Sequence, residues 1–355
     1  MHRDNCTLSR ERRKLILYLM LKKILSFYTK YFAVWVVVFG ILAYLRPDVF
    51  IKFEEGITRA SAVTIERLLP EFLRLEKGMN WFFALTMFGI GAVLEVADFK
   101  RIARRPTIIL IGSTAQFSIM PLGAFLLARL FRLPPEIAVG LILTGSAPGA
   151  MASNVMSYIA KADTAYSVSL TTVSTLLCPL LTPGLTFILA RSRLEVPFLD
   201  MVGDVLIMVV VPLFIGFGVR HYFKDKVEKI LPVFPAISVT FIIFICSLVI
   251  ALNKDRLAEA TGIILAVGVI LNIYGMLAGY GVGSAFRMNL RRRRTLAIEI
   301  GMQNAGLGTV LALDNFGEKA ALVALPAAIF VFICIITASA MAAVWQRTTP
   351  RDNPD

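Results

Sequence analysis

Glu299 lies in an apolar stretch, Arg294 to Asp314, together with Gln303, Asn304 and glycines at 301, 306 and 308. A charge inside hydrocarbon costs at least ~2.5 to 3.5 kcal/mol and glycine weakens a helix, so folding alone does not reward this choice. A functional site is the reading to test. A second stretch of the same character runs from Thr144 to Asn154 and holds Gly145, Ser146, Pro148, Gly149, Ser153 and Asn154. Proline removes a backbone donor and glycine permits non-helical angles, so a helix passing through here is expected to break. The expected breakers are Gly145, Pro148 and Gly149 in the first stretch and Gly306 and Gly308 in the second.

Unwound backbone at membrane depth is tolerated only where it lines a cavity. Its carbonyls, with hydroxyls, amide oxygens and one carboxylate, make a hard-oxygen set suited to an alkali cation rather than to zinc or copper. The two histidines, His2 and His221, lie outside the apolar stretches and offer neither a transition-metal site nor an imidazole relay. Two half-helix N-termini, before Met151 and after Gly306, would converge, and such ends favour an anion. Cation ligands beside an anion-favouring pocket point to sodium-coupled uptake of an organic anion.

Ser167 and Thr171, at i and i+4, share a helix face and can add oxygens, although such a pair also serves helix packing. Gln116 sits midway between Arg105 and Arg129, where a lone amide can equally bond a neighbouring helix. Glu95 and Asp204 fall near the ends of apolar stretches and read as solvated. An intramembrane enzyme would need a Ser-His, paired-Asp or His-rich constellation in these stretches, and the sequence has none.

The elements that must position these residues follow from composition. Of 355 residues, 57% are hydrophobic and 17% charged, with mean hydropathy +0.74. A soluble domain has roughly 45 to 50% apolar and about 25% charged residues, so an all-α polytopic membrane protein is expected. Ten stretches are long enough to cross: 27–45, 79–97, 107–131, 137–160, 164–190, 199–219, 231–252, 259–286, 294–315 and 320–345. With the N-terminus inside, the inner segments carry 24 of the 37 Lys and Arg, and both termini face the cytoplasm. The net charge of +13 therefore reads as topology, not nucleic-acid binding, which would need the basic residues gathered on one soluble face.

Residues 1–30 form a basic cytoplasmic leader, with Arg10 to Lys30 skirting the anionic inner leaflet and no small-residue cleavage site after it. The outer insertion 46–77 is amphipathic and reads as a helix on the outer interface. Cys178, Cys246 and Cys334 fall inside apolar runs and Cys6 near the N-terminus, with no CxxC pair, so buried free thiols are expected.

Ten spans divide into two fives, and an odd number forces the second half upside down. The expected halves are 31–190 and 199–345, joined by a linker at 191–198 and followed by a cytoplasmic tail, 346–355. Inverted repeats with broken helices at matching positions are a transporter signature, and here the fourth span of each half carries the break.

Ala-Pro-Gly-Ala-Met-Ala-Ser-Asn-Val-Met at 147–156 and Glu-Ile-Gly-Met-Gln-Asn-Ala-Gly-Leu at 299–307 resemble the two crossing-helix motifs of the bile acid:sodium symporter family. The resemblance runs from about Phe32 to Trp345. It implies crossing helices 4 and 9, a core of spans 3–5 and 8–10, and a panel of spans 1, 2, 6 and 7, working by alternating access. It also implies two sodium ions. The first would be held by Ser153, Asn154, Ser167, Thr171 and Glu299, the second by Gln116, Glu299, Gln303 and the carbonyls of Ile300 and Met302.

Substrate contacts are expected at Ala150, Met151, Asn304, Gly306 and Ile335. Some bacterial members have Thr where Met151 stands, and a His-Asn pair where this chain has Cys334 and Ile335. The implied cargo is a bile acid or a small carboxylate, and the implied location a bacterial inner membrane, in contact with lipid. The alternatives within the superfamily are a sodium-independent arsenite exporter and a proton antiporter. The first is expected to carry a cysteine directly after the first-break proline, where Gly149 stands. The second lacks a carboxylate or lysine partner for Glu299.

Overall fold

The computed structural model describes residues 20, 23–29, 31–65 and 78–348, and these residues are almost entirely helical, without an extended strand. A short helix α1, Lys23–Thr29, leads into α2, Phe32–Leu45, and then α3, Pro47–Ile65. Thus the first part of the segment 46–77 is helical. Its Phe50 packs with Ala43, Ile250 and Ala251, while 66–77 lie outside the described residues, as do most of the leader and the last seven residues of the tail.

Helix α4, Gly78–Val93, turns by 73° into α5, Val96–Arg104. The corner is a reciprocal cap: the Glu95 backbone N–H donates to Asp98 Oδ2 at 2.9 Å, and the Asp98 N–H is received by the Glu95 side chain and carbonyl. Then follow α6, Pro106–Leu130; the divided pair α7, Pro135–Ser146, and α8, Ala152–Ile159; and α9, Thr164–Ala190. Next, α10, Phe198–Val205, continues through one π-helical turn, Leu206–Val210, into α11, Val211–Tyr222. Pro212 cannot donate to the preceding turn, and a π turn is the usual accommodation. The chain continues with α12, Lys224–Ile230; α13, Val233–Leu252; α14, Lys254–Ala285; the second divided pair α15, Leu290–Gly301, and α16, Ala305–Asn315; and α17, Ala320–Gln346.

Among the described residues, six helical stretches are long and apolar enough to cross a membrane, and up to eight if each bent pair counts as one. Two of the ten apolar stretches in the sequence are instead divided at mid-length, which is why neither half reaches that length.

Packing gathers the helices into two groups. Helices α6, α7 and α9 pack together, α14, α15 and α17 pack together, and α6 with α14 and α7 with α17 join the two sets. Elsewhere, α4 lies against α11 and α13 against α2, with α13 touching both α3 and α4. Gly91 and Gly216 allow the α4–α11 contact, since a Cβ at either would run into the opposing carbonyl, of Leu213 or Phe88. Small residues that let backbones touch drive helix association where lipid removes the hydrophobic drive. Cys178, Cys246 and Cys334 are buried free thiols, as expected.

Two cations at the ends of apolar stretches are buried. Arg294 donates to the carbonyls of Ala160, Trp345 and Thr348, tying α15 to the ends of α8 and α17. Arg220 donates to Glu95 at 2.8 Å, and Asp204 accepts from Asn315 at 2.7 Å, so neither carboxylate is merely solvated.

Candidate functional site

The two breaks cross. Between α7 and α8 the chain is non-helical at 147–151, and between α15 and α16 at 302–304. The segments meet antiparallel: Gly149 bridges Gln303, the Ala150 N–H donates to the Met302 carbonyl at 2.8 Å, and the Asn304 N–H donates to the Pro148 carbonyl at 2.7 Å. Each break thereby satisfies part of the other's exposed backbone, which answers the demand that buried peptide groups be paired.

The breaks fall beside, not at, three of the expected glycines. Gly145 is in the last turn of α7, and Gly306 and Gly308 are in the first turn of α16. Gly145 serves close packing, since a Cβ there would stand 2.7 Å from the Met120 carbonyl, whereas a Cβ on Gly306 or Gly308 would meet only ordinary contacts, with Asn304 and Ile242 or with Ala327 and Thr144. Pro148 and Gly149 do lie in the break. Likewise, the second half-helix begins at Ala305 with Asn304 as its cap, whose Oδ1 accepts from the Leu307 N–H at 3.1 Å.

Glu299, only 2% exposed, sits two residues before the end of α15. Ser153 on α8 and Ser167 on α9 donate to its Oε2 at 2.6 and 2.9 Å, and Thr171 donates to Oε1 at 2.5 Å. Asn154 joins this cluster through Thr171, 3.4 Å from its Oδ1. Three hydroxyls on one buried carboxylate satisfy a charge that would otherwise be prohibitively costly. Gly149 makes the approach possible, because a Cβ there would collide with the Glu299 carboxylate.

A second cluster joins α6 to the crossing. Gln116 Nε2 donates to Gln303 Oε1 at 2.7 Å, and Gln303 Nε2 donates to the Ile300 carbonyl at 3.0 Å. Gln116 Oε1 is buried and has no hydrogen-bond partner. An orphaned amide oxygen on a side chain joined through Gln303 to the Ile300 carbonyl is the chemistry a small hard cation accepts. Among the described residues no group of three or more His, Cys, Asp or Glu is placed to hold a metal ion.

Of the expected substrate contacts, Ala150 and Asn304 stand in the crossing, Met151 caps α8 with its sulfur 3.9 Å from Asn154 Nδ2, and Ile335 is buried in the apolar core. Three positioning residues escaped the sequence reading. Ser174 Oγ accepts from the Gly149 N–H at 3.3 Å, Thr182 donates to the Ser146 carbonyl at 2.7 Å, and Asn272 donates to the Gly301 carbonyl at 2.8 Å. Ser174 extends the Ser167–Thr171 face by one further turn, so helical spacing alone points to it. Thr182 and Asn272 carry no such signal.

An all-helical, membrane-crossing chain with a buried carboxylate at two crossed helix breaks belongs to the class of ion-coupled transporters. Residues 81–260 match the sodium bile acid symporter family. The chain is 36% identical over 328 residues to sodium-dependent transporter YocS of Bacillus subtilis, covering 92% of this chain and 94% of that one. It is 35% identical over 279 residues to the probable sodium/metabolite cotransporter BASS1, chloroplastic, of Arabidopsis thaliana, covering 78% and 69%. Sodium/bile acid cotransporter 4 of Mus musculus shares 30% over 247 residues, 67% of this chain and 56% of that protein. The chain belongs to the sodium bile acid symporter family, whose members are sodium-dependent membrane transporters and not enzymes.

Proposed function

We propose that the protein is a symporter that couples sodium to the uptake of a small organic anion by alternating access. The observation that carries this reading is the convergence of Ser153, Ser167 and Thr171 on Glu299 at the point where the two breaks cross. In this reading the three hydroxyls keep their protons and turn a lone pair toward the first sodium, which takes Asn154 as a further ligand. The second uses the orphaned Gln116 oxygen, Gln303, and the carbonyls of Ile300 and Met302, and Glu299 serves both ions. Cation binding pins the crossing, and the half-helix starts at Met151 and Ala305, with Asn304, Ala150 and Gly306, receive the anion.

The ten apolar stretches are then ten spans in two inverted halves, 31–190 and 199–345, with cytoplasmic termini. The group α6–α9 and α14–α17 is the moving core, and α2, α4, α10–α11 and α13 form the panel. The bile acids and metabolites named for the relatives set the cargo to try first.

The test is a thermal-shift screen of bile acids, keto acids, pantothenate and other carboxylates on purified protein, in sodium and in potassium. Stabilisation by a carboxylate is expected in sodium only. Equal stabilisation in both salts would sink the coupling.

A further inference from the structure

A cavity of about 540 Å3 lies apart from the crossing, under α5. It is lined by Ala97, Ile108, Ile109 and Ala165, by Tyr166 and Ser169, and by charged side chains: Lys100, Arg101, Arg104, Arg105 and Arg292, with Asp163 beside them. Arg101 donates to Asp98 and Arg292 faces Asp163 at 3.5 Å, whereas Lys100, Arg104 and Arg105 make no ion pair among the described residues. All three are exposed. Positive residues beside a span need no explanation beyond topology. Here, however, cations from α5 and from α15, nearly two hundred residues later in the chain, line one concavity together with apolar side chains.

The position gives that concavity a consequence. Helix α5 is tethered to α11 by Glu95 with Arg220 and by the ring contact of Phe99 with Phe217, centroids 5.1 Å apart. The opposite wall belongs to α6, α9 and α15. Helix α5 itself also packs against α6 and α9, so a group held in the cavity would add to an existing contact between the two packing groups.

We propose that this cavity binds the phosphate headgroup of an anionic phospholipid from the inner leaflet, and that the bound lipid ties the panel to the core and sets the rate of transport. Basic pockets between spanning helices on the cytoplasmic side suit such headgroups, and the apolar part of the lining suits the glycerol and upper acyl carbons behind one. The inference rests on the topology proposed above. A phosphate diester gives the free cations at Lys100, Arg104 and Arg105 charge-assisted partners, with Arg292 completing the set.

The experiment compares the full chain in vesicles of phosphatidylcholine alone and with one part in five of phosphatidylglycerol, reading sodium-dependent uptake and lipid retained by native mass spectrometry. The anionic lipid should change the uptake rate and remain bound. Lys100→Gln/Arg104→Gln/Arg105→Gln should weaken retention on the order of 100-fold, from about fivefold per cation near an anionic surface. The charge-preserving Arg104→Lys/Arg105→Lys variant should keep it, which separates binding from folding. Sodium-dependent thermal stabilisation is read on every variant. An unmodified chain that shows no lipid effect while keeping that response overturns this site alone, and one that shows neither overturns the transport reading. Glycerol phosphate in neutral vesicles acting as well as the lipid would overturn the lipid assignment. So would a triple variant slowed equally in neutral vesicles, since its cations would then serve the transported anion.

Discussion

The two breaks do the same job by different means. The first, 147–151, is opened by covalent chemistry, since Pro148 has no N–H to give and Gly149 accommodates the Glu299 carboxylate at its face. The second, 302–304, contains neither proline nor glycine, and side chains hold it open. Asn272 takes the Gly301 carbonyl, Gln303 folds back onto the Ile300 carbonyl, and Asn304 caps the helix that follows. The charge resides on the second arm and most of the hydroxyls come from the first arm and α9. A break wired by its own backbone is a fixed jaw, and a break held by hydrogen bonds can respond to an ion that competes for the same carbonyls.

The largest effect that tests this contrast is at Glu299. Glu299→Gln keeps the shape and removes the charge, and a unit charge about 4 Å from a cation contributes about 4 kcal/mol at the effective dielectric of partly screened sites. Sodium affinity, followed by the thermal shift against sodium concentration, should fall on the order of 1000-fold. A variant that keeps its sodium response would remove Glu299 from both proposed ion sites. Next comes Gly149→Ala. Its added carbon meets the carboxylate itself, so overpacking should cost about 1 to 3 kcal/mol of stability and abolish the sodium response. Calorimetry and uptake together read both effects.

The asymmetry of the breaks also explains what was legible in the sequence. Glu299, Ser153, Ser167, Thr171, Gln116 and Gln303 stood out because a polar group in an apolar stretch needs a partner, and all six found partners in one another. The first break was placed by Pro148, whose effect is local and can be read from one residue. The second was attributed to Gly306 and Gly308, which are helical. A glycine that lets two helices touch and a glycine that breaks a helix leave the same mark in a sequence. Only the opposing surface, here the Met120 carbonyl across from Gly145, tells them apart. Asn272 was missed because its partner is a backbone carbonyl on another helix, and carbonyls have no residue type. The burial of Arg294 and Arg220 was hidden for a related reason, since long cationic side chains fold back from a span end to carbonyls or acids that only the fold brings near.

A matched pair of substitutions sharpens the comparison further. Thr182→Val and Asn272→Leu each strip a partner from the carbonyl that ends a half-helix, and each should cost about 1 to 3 kcal/mol of stability. Their effects on sodium should differ. With Pro148 and Gly149 in place, the first break stays open in Thr182→Val, and sodium titrations should give a midpoint within about threefold of the parent, the shift expected for a change under about 0.7 kcal/mol. Without Asn272, the Gly301 carbonyl is freed next to those of Ile300 and Met302, and the midpoint should rise about tenfold or more, one factor of ten for each 1.4 kcal/mol of misplacement. Equal midpoints in the two variants would dissolve the distinction between a fixed and a responsive jaw.

The smallest effect separates two roles at Asn304. As a helix cap, its loss in Asn304→Ala should cost about 1 kcal/mol, since the Leu307 N–H loses its acceptor. Asn304→Asp keeps an acceptor oxygen in the same place and sets a negative charge at a helix start, which the helix dipole favours, so stability should stay close to that of the parent. That same charge faces whatever anion the crossing receives. Asn304→Asp should therefore keep its sodium response and lose stabilisation by carboxylates, whereas Asn304→Ala should weaken both modestly through the cap. If Asn304→Asp bound carboxylates unchanged, Asn304 would be a cap alone, and the anion would have to be sought along the α8 start, at Ala150 and Met151, on the arm whose backbone is already fixed.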